Sequence, residues 1–313
     1  MDADKRRFFN LILSAFIRVH LRLKMKQWHC GKYRLELGQK TYVLGIVNAT
    51  PDSFSGDGTS AQKAVERGLK MIEDGAHILD IGGESTRPGS QAVSLDEELK
   101  RVLPVVEGLA GRGIPLSVDT TKGEVARRAL EAGASIVNDI SGATFDEQML
   151  GVCAHSDCGV VLMHLRDRPQ EMGWSRSPQD AQRGDVVGEV LAFWRERLEA
   201  ARSVGLADER LCFDAGFGFG KSVEENLDLL RRGRELRDFG FPILSGTSRK
   251  STIGRILDGA PVEERLFGTA ATVALAIQSG ADLVRVHDVR EMAQVARVAD
   301  AICRPQQSHE REA

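Results

Sequence analysis

YVLGIVNATPDSFSGDGTSAQKAVERGLKMIEDGAHILDIGG, residues 42–83, holds one complete repeat of the chain's architecture. It opens on an apolar, β-branched run (42–47) and passes through a stretch rich in Gly, Ser and Asp. Helical periodicity follows over 61–74, then a second apolar run at 78–81. Short apolar runs bounded by turn residues read as buried strands, and strand, helix and strand in that order make a parallel βαβ unit. The pattern continues along the chain. Further strands are predicted at 116–118, 136–138, 160–163, 211–213, 242–244 and 283–286, and helices at 96–109, 123–131, 147–154, 187–203, 224–237, 264–278 and 290–302. Eight βα units with no polar linker between them predict an α/β protein folded as a (β/α)8 TIM barrel, with a doubly wound open sheet as the alternative. Upstream, residues 33–37 predict a short strand, alone or in a hairpin, covering the barrel bottom.

A length of 313 residues suits either two domains or one barrel of about 250 residues with short additions. The pattern places one barrel over 28–303, between an N-terminal extension (1–27) and a polar, frayed tail (304–313). The extension carries Lys5, Arg6 and Arg7 ahead of an apolar run at 8–17. That run is too short to span a bilayer, and no small-residue cleavage site follows it. A poorly ordered or weakly helical extension is expected, with Met25 a natural alternative start and no membrane partner. Lys and Arg total 42 against 45 Asp and Glu, a net charge of −3. That balance argues against a nucleic-acid partner. Five scattered cysteines, Cys30, Cys153, Cys158, Cys212 and Cys303, argue against a disulfide framework and for a reducing, cytoplasmic compartment.

The active site of such a barrel lies where its strands end. Read in order, those ends are Asn48, Asp80, Asp119, Asn138 with Asp139, His164, Asp214, the turn 246–250 (GTSRK), and Arg285 with His287. The strands are almost wholly apolar and their C-terminal ends almost wholly polar. Burying that many polar groups without partners costs several kcal/mol each, so the ring predicts a polar ligand. Arg285 and His287 are two apart on a strand and share a face. With Lys250 and Arg87 they form a cationic side that suits a phosphorylated substrate. Asp119, Asn138 and Asp214 suit an amino-substituted nitrogen heterocycle, although carboxylates at such positions also serve as general bases, metal ligands or helix caps.

Eight segments in order resemble the dihydropteroate synthase family of pterin-binding enzymes: GIVNATPDSFSGDG (45–58), DIGGESTRPG (80–89), SVDTTK (117–122), VNDISG (137–142), LMH (162–164), FDAGFGFGK (213–221), SRKS (248–251) and RVHDV (285–289). The resemblance implies a (β/α)8 barrel and a transferase of tetrahydrofolate biosynthesis. It would condense (7,8-dihydropterin-6-yl)methyl diphosphate with 4-aminobenzoate to give 7,8-dihydropteroate and diphosphate. It further implies Asp119, Lys250, Arg285, His287 and Asp52 as catalytic residues. Asp119, Asn138, Asp214, Lys250, Met163 and Gly246 would meet the pterin. Asn48, Thr86, Arg87, Arg285 and His287 would meet the diphosphate, and Phe54, Pro88, Phe219 and Ser251 the 4-aminobenzoate. Asn48 would be the protein ligand of a Mg²⁺ ion, the partners small molecules, the assembly a homodimer and the enzyme a sulfonamide target. A methyltransferase domain that binds a methylated folate, and a non-catalytic pterin-binding paralogue, are the alternatives. The family usually has proline at Ala215, glycine at Asp167 and a larger residue at Thr121.

Two further patterns fit other chemistry less well. Residues 215–222 follow a strand and read as a loose phosphate-binding P-loop ending in GKS, but the match depends on Ala215 in place of glycine. Cys153, His155 and Cys158 suggest zinc, but a structural site needs four ligands and no fourth stands near.

Overall fold

The computed structural model describes residues 26–49, 59–85, 90–166 and 184–304. The extension up to residue 25 and the tail from 305 lie outside them, as do Asp52, Phe54, Thr86, Arg87, Pro88 and Asp167. Eight parallel strands close a barrel in sequence order: β3 (Tyr42–Asn48), β4 (Ile78–Gly82), β5 (Leu116–Asp119), β6 (Ile136–Asp139), β7 (Gly159–Met163), β8 (Leu211–Asp214), β9 (Ile243–Ser245) and β10 (Leu283–Val286), which returns to β3. Helices follow the strands: α1 (Thr59–Glu73), α2 (Leu95–Leu109), α3 (Gly123–Glu131), α4 (Met149–Ala154), α5 (Val186–Ser203), α6 (Val223–Arg231), α7 (Gly233–Arg237), α8 (Ser251–Ile256), α9 (Leu266–Gln278) and α10 (Val289–Cys303). The open-sheet alternative is excluded by the pairing of β10 with both β3 and β9.

Strand residues divide by parity. Val43, Leu79, Val118, Val137, Val160, Phe213 and Val284 pack outward against the helices. Leu44, Ile78, Ile136, Val161, Cys212, Leu244 and Leu283 fill the barrel. Below them lies an antiparallel hairpin, β1 (Gln27–Cys30) and β2 (Tyr33–Glu36), whose Trp28 and Cys30 are fully buried against this inner layer. The Trp28 indole N–H donates to the Arg210 carbonyl at 3.0 Å, so the wedge is also satisfied as a polar group. The barrel floor is therefore sealed by the hairpin form of the predicted strand.

The helices depart from the sequence expectation at several points: α8 has no counterpart in it, and the helix expected from 264 begins at Leu266. The stretch 224–237 is broken at Arg232, and α7 begins at Gly233, where a Cβ would lie 2.7 Å from that of Ser279. The Ser279 hydroxyl donates to the Leu230 carbonyl at 3.1 Å, satisfying a group that the break leaves without a helical partner. The helix expected from 147 begins at Met149, because the Asp146 carboxylate first accepts from Gly123 and Gln148 backbone N–H groups at 2.7 and 2.9 Å.

Candidate active site

The inward parity that fills the barrel with apolar groups turns polar one step further along each strand. Asn48, Asp80, Asp119, Asn138, Met163, Asp214, Gly246, Arg285 and His287 all carry it, so the floor residues and the ring above them belong to one inner surface. In register, Asp119 stands beside Asn138, and Met163 beside Asp214.

Arg285 organises one side. Its Nε donates to Asp80 Oδ2 and its Nη2 to Asp119 Oδ2, both at 2.6 Å. Asp80 Oδ2 also accepts from Asn138 Nδ2 at 3.1 Å, which fixes the amide flip. Burial alone would pull Arg285 down, but the two carboxylates hold it above its ordinary value. Burial pushes Asp119 up to about 7 against the pull of Arg285, with Asp80 adding to the rise. Asp80 Oδ1 is buried and has no hydrogen-bond partner among the described residues.

The other side carries Asp214 and Lys250. Asp214 Oδ1 accepts the Gly216 N–H at 2.7 Å. Burial raises its pKa, opposed by that bond and by Lys250. Burial lowers Lys250 to about 7, and Arg285 adds to the fall, while Asp214 opposes it. The Lys250 ammonium lies 3.7 Å from the centre of the Phe219 ring, a cation–π contact. Phe219, Met163 and Ile140 form an apolar wall beside these charges. At Gly246 a Cβ would point into the mouth, 3.7 Å from Asp214 Oδ2. His287 shares the Ser248 hydroxyl twice, through its backbone N–H at 3.2 Å and its Nδ1 at 3.0 Å. Ser251 opens α8 next to Lys250. A cavity of about 650 Å³ opens beside Asp119, between Glu84, Lys122, Ile140 and Phe145.

Two members of the sequence ring do not reach this mouth. Asp139 has outward parity; its Oδ1 accepts the Ser141 N–H and hydroxyl at 2.7 and 2.6 Å and shapes a turn. His164 stacks edge-on against Phe193 of α5, and burial holds it neutral, at about 2. Parity, legible in the sequence, separates both from their neighbours Asn138 and Met163. Asp80, whose place in the ring is all that the sequence shows of it, anchors both Arg285 and Asn138.

The two other patterns resolve as structural. Lys221 of the P-loop look-alike is fully buried, and its ammonium is directed at backbone carbonyls. Cys153 and Cys158 are buried around Arg210, whereas exposed His155 bonds its own helix carbonyl at 2.7 Å. No cluster of three or more His, Cys, Asp or Glu side chains able to hold a metal occurs among the described residues. Asn48, at the end of β3, offers a neutral oxygen. That donor fits a Mg²⁺ held chiefly by phosphate oxygens and water rather than by a protein cage.

A closed parallel barrel whose mouth sets carboxylates, an amide, an arginine and a lysine around an apolar wall defines a barrel enzyme for a flat polar heterocycle. The family profile described as pterin binding enzyme matches residues 44–287, which span the ring from β3 to His287. A dihydropteroate synthase from Synechocystis is 49% identical over 277 residues, covering 88% of this chain and 94% of that protein. Among solved structures, the Xanthomonas albilineans dihydropteroate synthase with 4-aminobenzoic acid is 43% identical, with a TM-score of 0.80 over 89% of this chain and 98% of that one. The Burkholderia cenocepacia dihydropteroate synthase complexed with 7,8-dihydropteroate is 40% identical, with a TM-score of 0.78 over 88% and 96%. The chain belongs to the dihydropteroate synthase family, transferases of folate biosynthesis.

Proposed function

We infer that this mouth condenses (7,8-dihydropterin-6-yl)methyl diphosphate with 4-aminobenzoate, giving 7,8-dihydropteroate and diphosphate. The observation that carries the reading is the inner ring itself. Asp119, Asn138, Asp214 and Arg285 share one parity above an apolar plug, with Lys250 beside them. A relative's complex with 7,8-dihydropteroate supports it.

In this reading the pterin lies against Met163 and over Gly246. Its amino edge meets Asp214, and its other ring nitrogens meet Asn138 and Asp119. Lys250 meets its carbonyl side. Arg285 and His287, with Thr86 and Arg87, hold the diphosphate. Because Asp80 and Asp119 already fix the Arg285 fork, little reorganisation is needed as charge develops. The C–O bond to diphosphate breaks and its electron pair leaves with the phosphate oxygen. The resulting cation is delocalised into the pterin, with the Asp119 carboxylate beside it. The arylamine nitrogen then bonds to the methylene carbon and releases a proton. Catalysis is therefore holding and electrostatic stabilisation. A Mg²⁺ ion, with Asn48 as its protein ligand, would neutralise charge on the departing diphosphate. Phe54, Pro88, Phe219 and Ser251 would meet 4-aminobenzoate, and sulfonamides in its place, and Asp52 would assist the chemistry. The working form is a cytoplasmic homodimer, a reading supported by five free thiols and by the exposed apolar side chains between residues 256 and 302.

The test is diphosphate release from the pterin substrate, measured with and without 4-aminobenzoate, together with the mass of the pterin product. Release coupled to dihydropteroate formation is expected. A bound pterin that is never consumed would favour the non-catalytic alternative.

A further inference from the structure

Lys221 is fully buried, yet it forms no ion pair with a carboxylate among the described residues. Its Nζ donates to three backbone carbonyls: Gly216 at 2.9 Å, Phe219 at 3.3 Å and His164 at 3.4 Å. Three acceptors call for three N–H donors, which only the ammonium form supplies. Burial works against that form and, with Arg166, pulls Lys221 down to about 7, while Asp214, Glu189 and Glu225 oppose the fall. A cation kept in so costly a place invites a reason.

The loop between β8 and α6 supplies one. Gly216, Gly218 and Gly220 all have left-handed backbones, with φ of +67°, +81° and +64°. A chain that reverses at every second residue makes no ladder, so its N–H and C=O groups need other partners. Asp214 and Asn226 accept the Gly216 and Gly218 N–H groups, each at 2.7 Å. Lys221 takes the carbonyls. The alternation also sends the two phenylalanines apart. Phe217 goes toward Leu229, Leu236 and Ile243, and Phe219 goes into the mouth beside Ile140 and Met163. Asn226 further bonds the Thr252 hydroxyl of α8 at 3.0 Å, two residues past Lys250.

We propose that Lys221 is a positioning residue, a buried knot that ties the β8–α6 loop to the end of β7 and so sets the Phe219 ring on which the Lys250 ammonium rests. The inference rests on the pterin reading of the mouth. None of the three bonds belongs to the barrel ladder, so the knot governs the arylamine side of the site more than the fold. The His164 carbonyl brings in the neighbouring β7 loop, and Arg166 two residues on is held by Glu189 and Glu225 at 2.5 and 2.8 Å.

The test is Lys221→Met in the full chain, which keeps much of the side-chain volume and removes every donor. Relative to the parent, the variant is expected to raise the 4-aminobenzoate KM and lower kcat, each about tenfold, with calorimetric pterin affinity within about threefold. Amide exchange of the 214–221 peptide is expected to accelerate while peptides from β3 to β6 keep their protection. A folded variant with both constants near the parent's would overturn the proposal, as would pterin affinity falling in step with them. If Lys221→Met does not fold, Lys221→Gln, which keeps an N–H donor, enters the same assays with the same split expected. Failure of both to fold would also overturn it, because the knot would then be holding the barrel. The exchange contrast does not depend on turnover. An inactive parent would therefore count against the synthase reading and leave the knot to be judged by exchange.

Discussion

Asp119 shows what a prebuilt mouth costs at a single residue. Its carboxyl is raised from the ordinary 3.8 to about 7, chiefly by burial and despite Arg285. Between those values the folded protein holds a proton that the unfolded chain releases. This contribution to stability is complete below about pH 4 and is lost as pH rises through about 7. Lys250, lowered from 10.5 to about 7, behaves oppositely, so the two groups together favour the fold least near neutrality. Asp119→Asn is expected to flatten the fall in melting temperature between about pH 5 and pH 8, by about 2–4 °C for each kcal/mol of strain removed, while abolishing turnover. Calorimetric scans of both proteins across that range check it. Equal slopes would mean that Arg285 keeps Asp119 ionised throughout. The residue types of this mouth were legible in the sequence, because polar groups ending apolar strands are conspicuous. Which of two adjacent polar groups faces inward was legible too, through parity. Asp139 and His164 show that residue type alone does not decide it. The Arg285–Asp80–Asn138 chain was not legible, because it joins three strands whose spatial neighbours only the closed barrel defines.

At the scale of elements, the eight strands were readable because each is buried on both faces and therefore apolar at both parities. The β1 strand, QWHC, escaped that signal. It is only four residues long, and its alternating burial is carried by Trp28 and Cys30 alone. The break between α6 and α7 was equally hidden, since Gly233 is set by the approach of Ser279 from the end of α9. The hairpin nevertheless anchors the floor: Gly159 of β7 has no room for a Cβ, which would meet Cys30 Sγ at 2.7 Å and the Trp28 ring at 3.1 Å. Trp28→Ala is expected to destabilise the protein by about 3–5 kcal/mol through the cavity it leaves. The mouth lies at the opposite end, so turnover per folded molecule should stay near the parent's well below the melting point. Denaturant unfolding monitored by circular dichroism, paired with kcat, separates the two effects. A large loss of kcat in fully folded Trp28→Ala protein would show that floor and mouth are mechanically coupled.

For the whole molecule, what the barrel leaves uncovered is uneven. Six of the eight exposed large apolar side chains among the described residues fall between residues 256 and 302. They are Ile256 and Leu257 at the end of α8, Phe267 and Leu275 on α9, and Val298 and Ile302 on α10. Phe267 is 86% exposed and Ile302 75%, values at odds with their hydrophobicity. Scattered apolar residues need no explanation, but a concentration on one quarter of a barrel's circumference does. A second copy of the chain related by a two-fold axis would cover this quarter with its own counterpart, since such an interface presents the same patch from both sides. Phe267→Asp combined with Val298→Asp places a carboxylate on each of the two helices, and in a two-fold interface each charge enters twice. Sedimentation velocity at micromolar concentration is expected to give a dimer for the parent and a monomer for the double variant. The residues proposed to meet the pterin come from one chain, so the monomer should still bind pterin. A parent that sediments as a monomer would sink the interface, whereas a variant that remains dimeric would move it to another face.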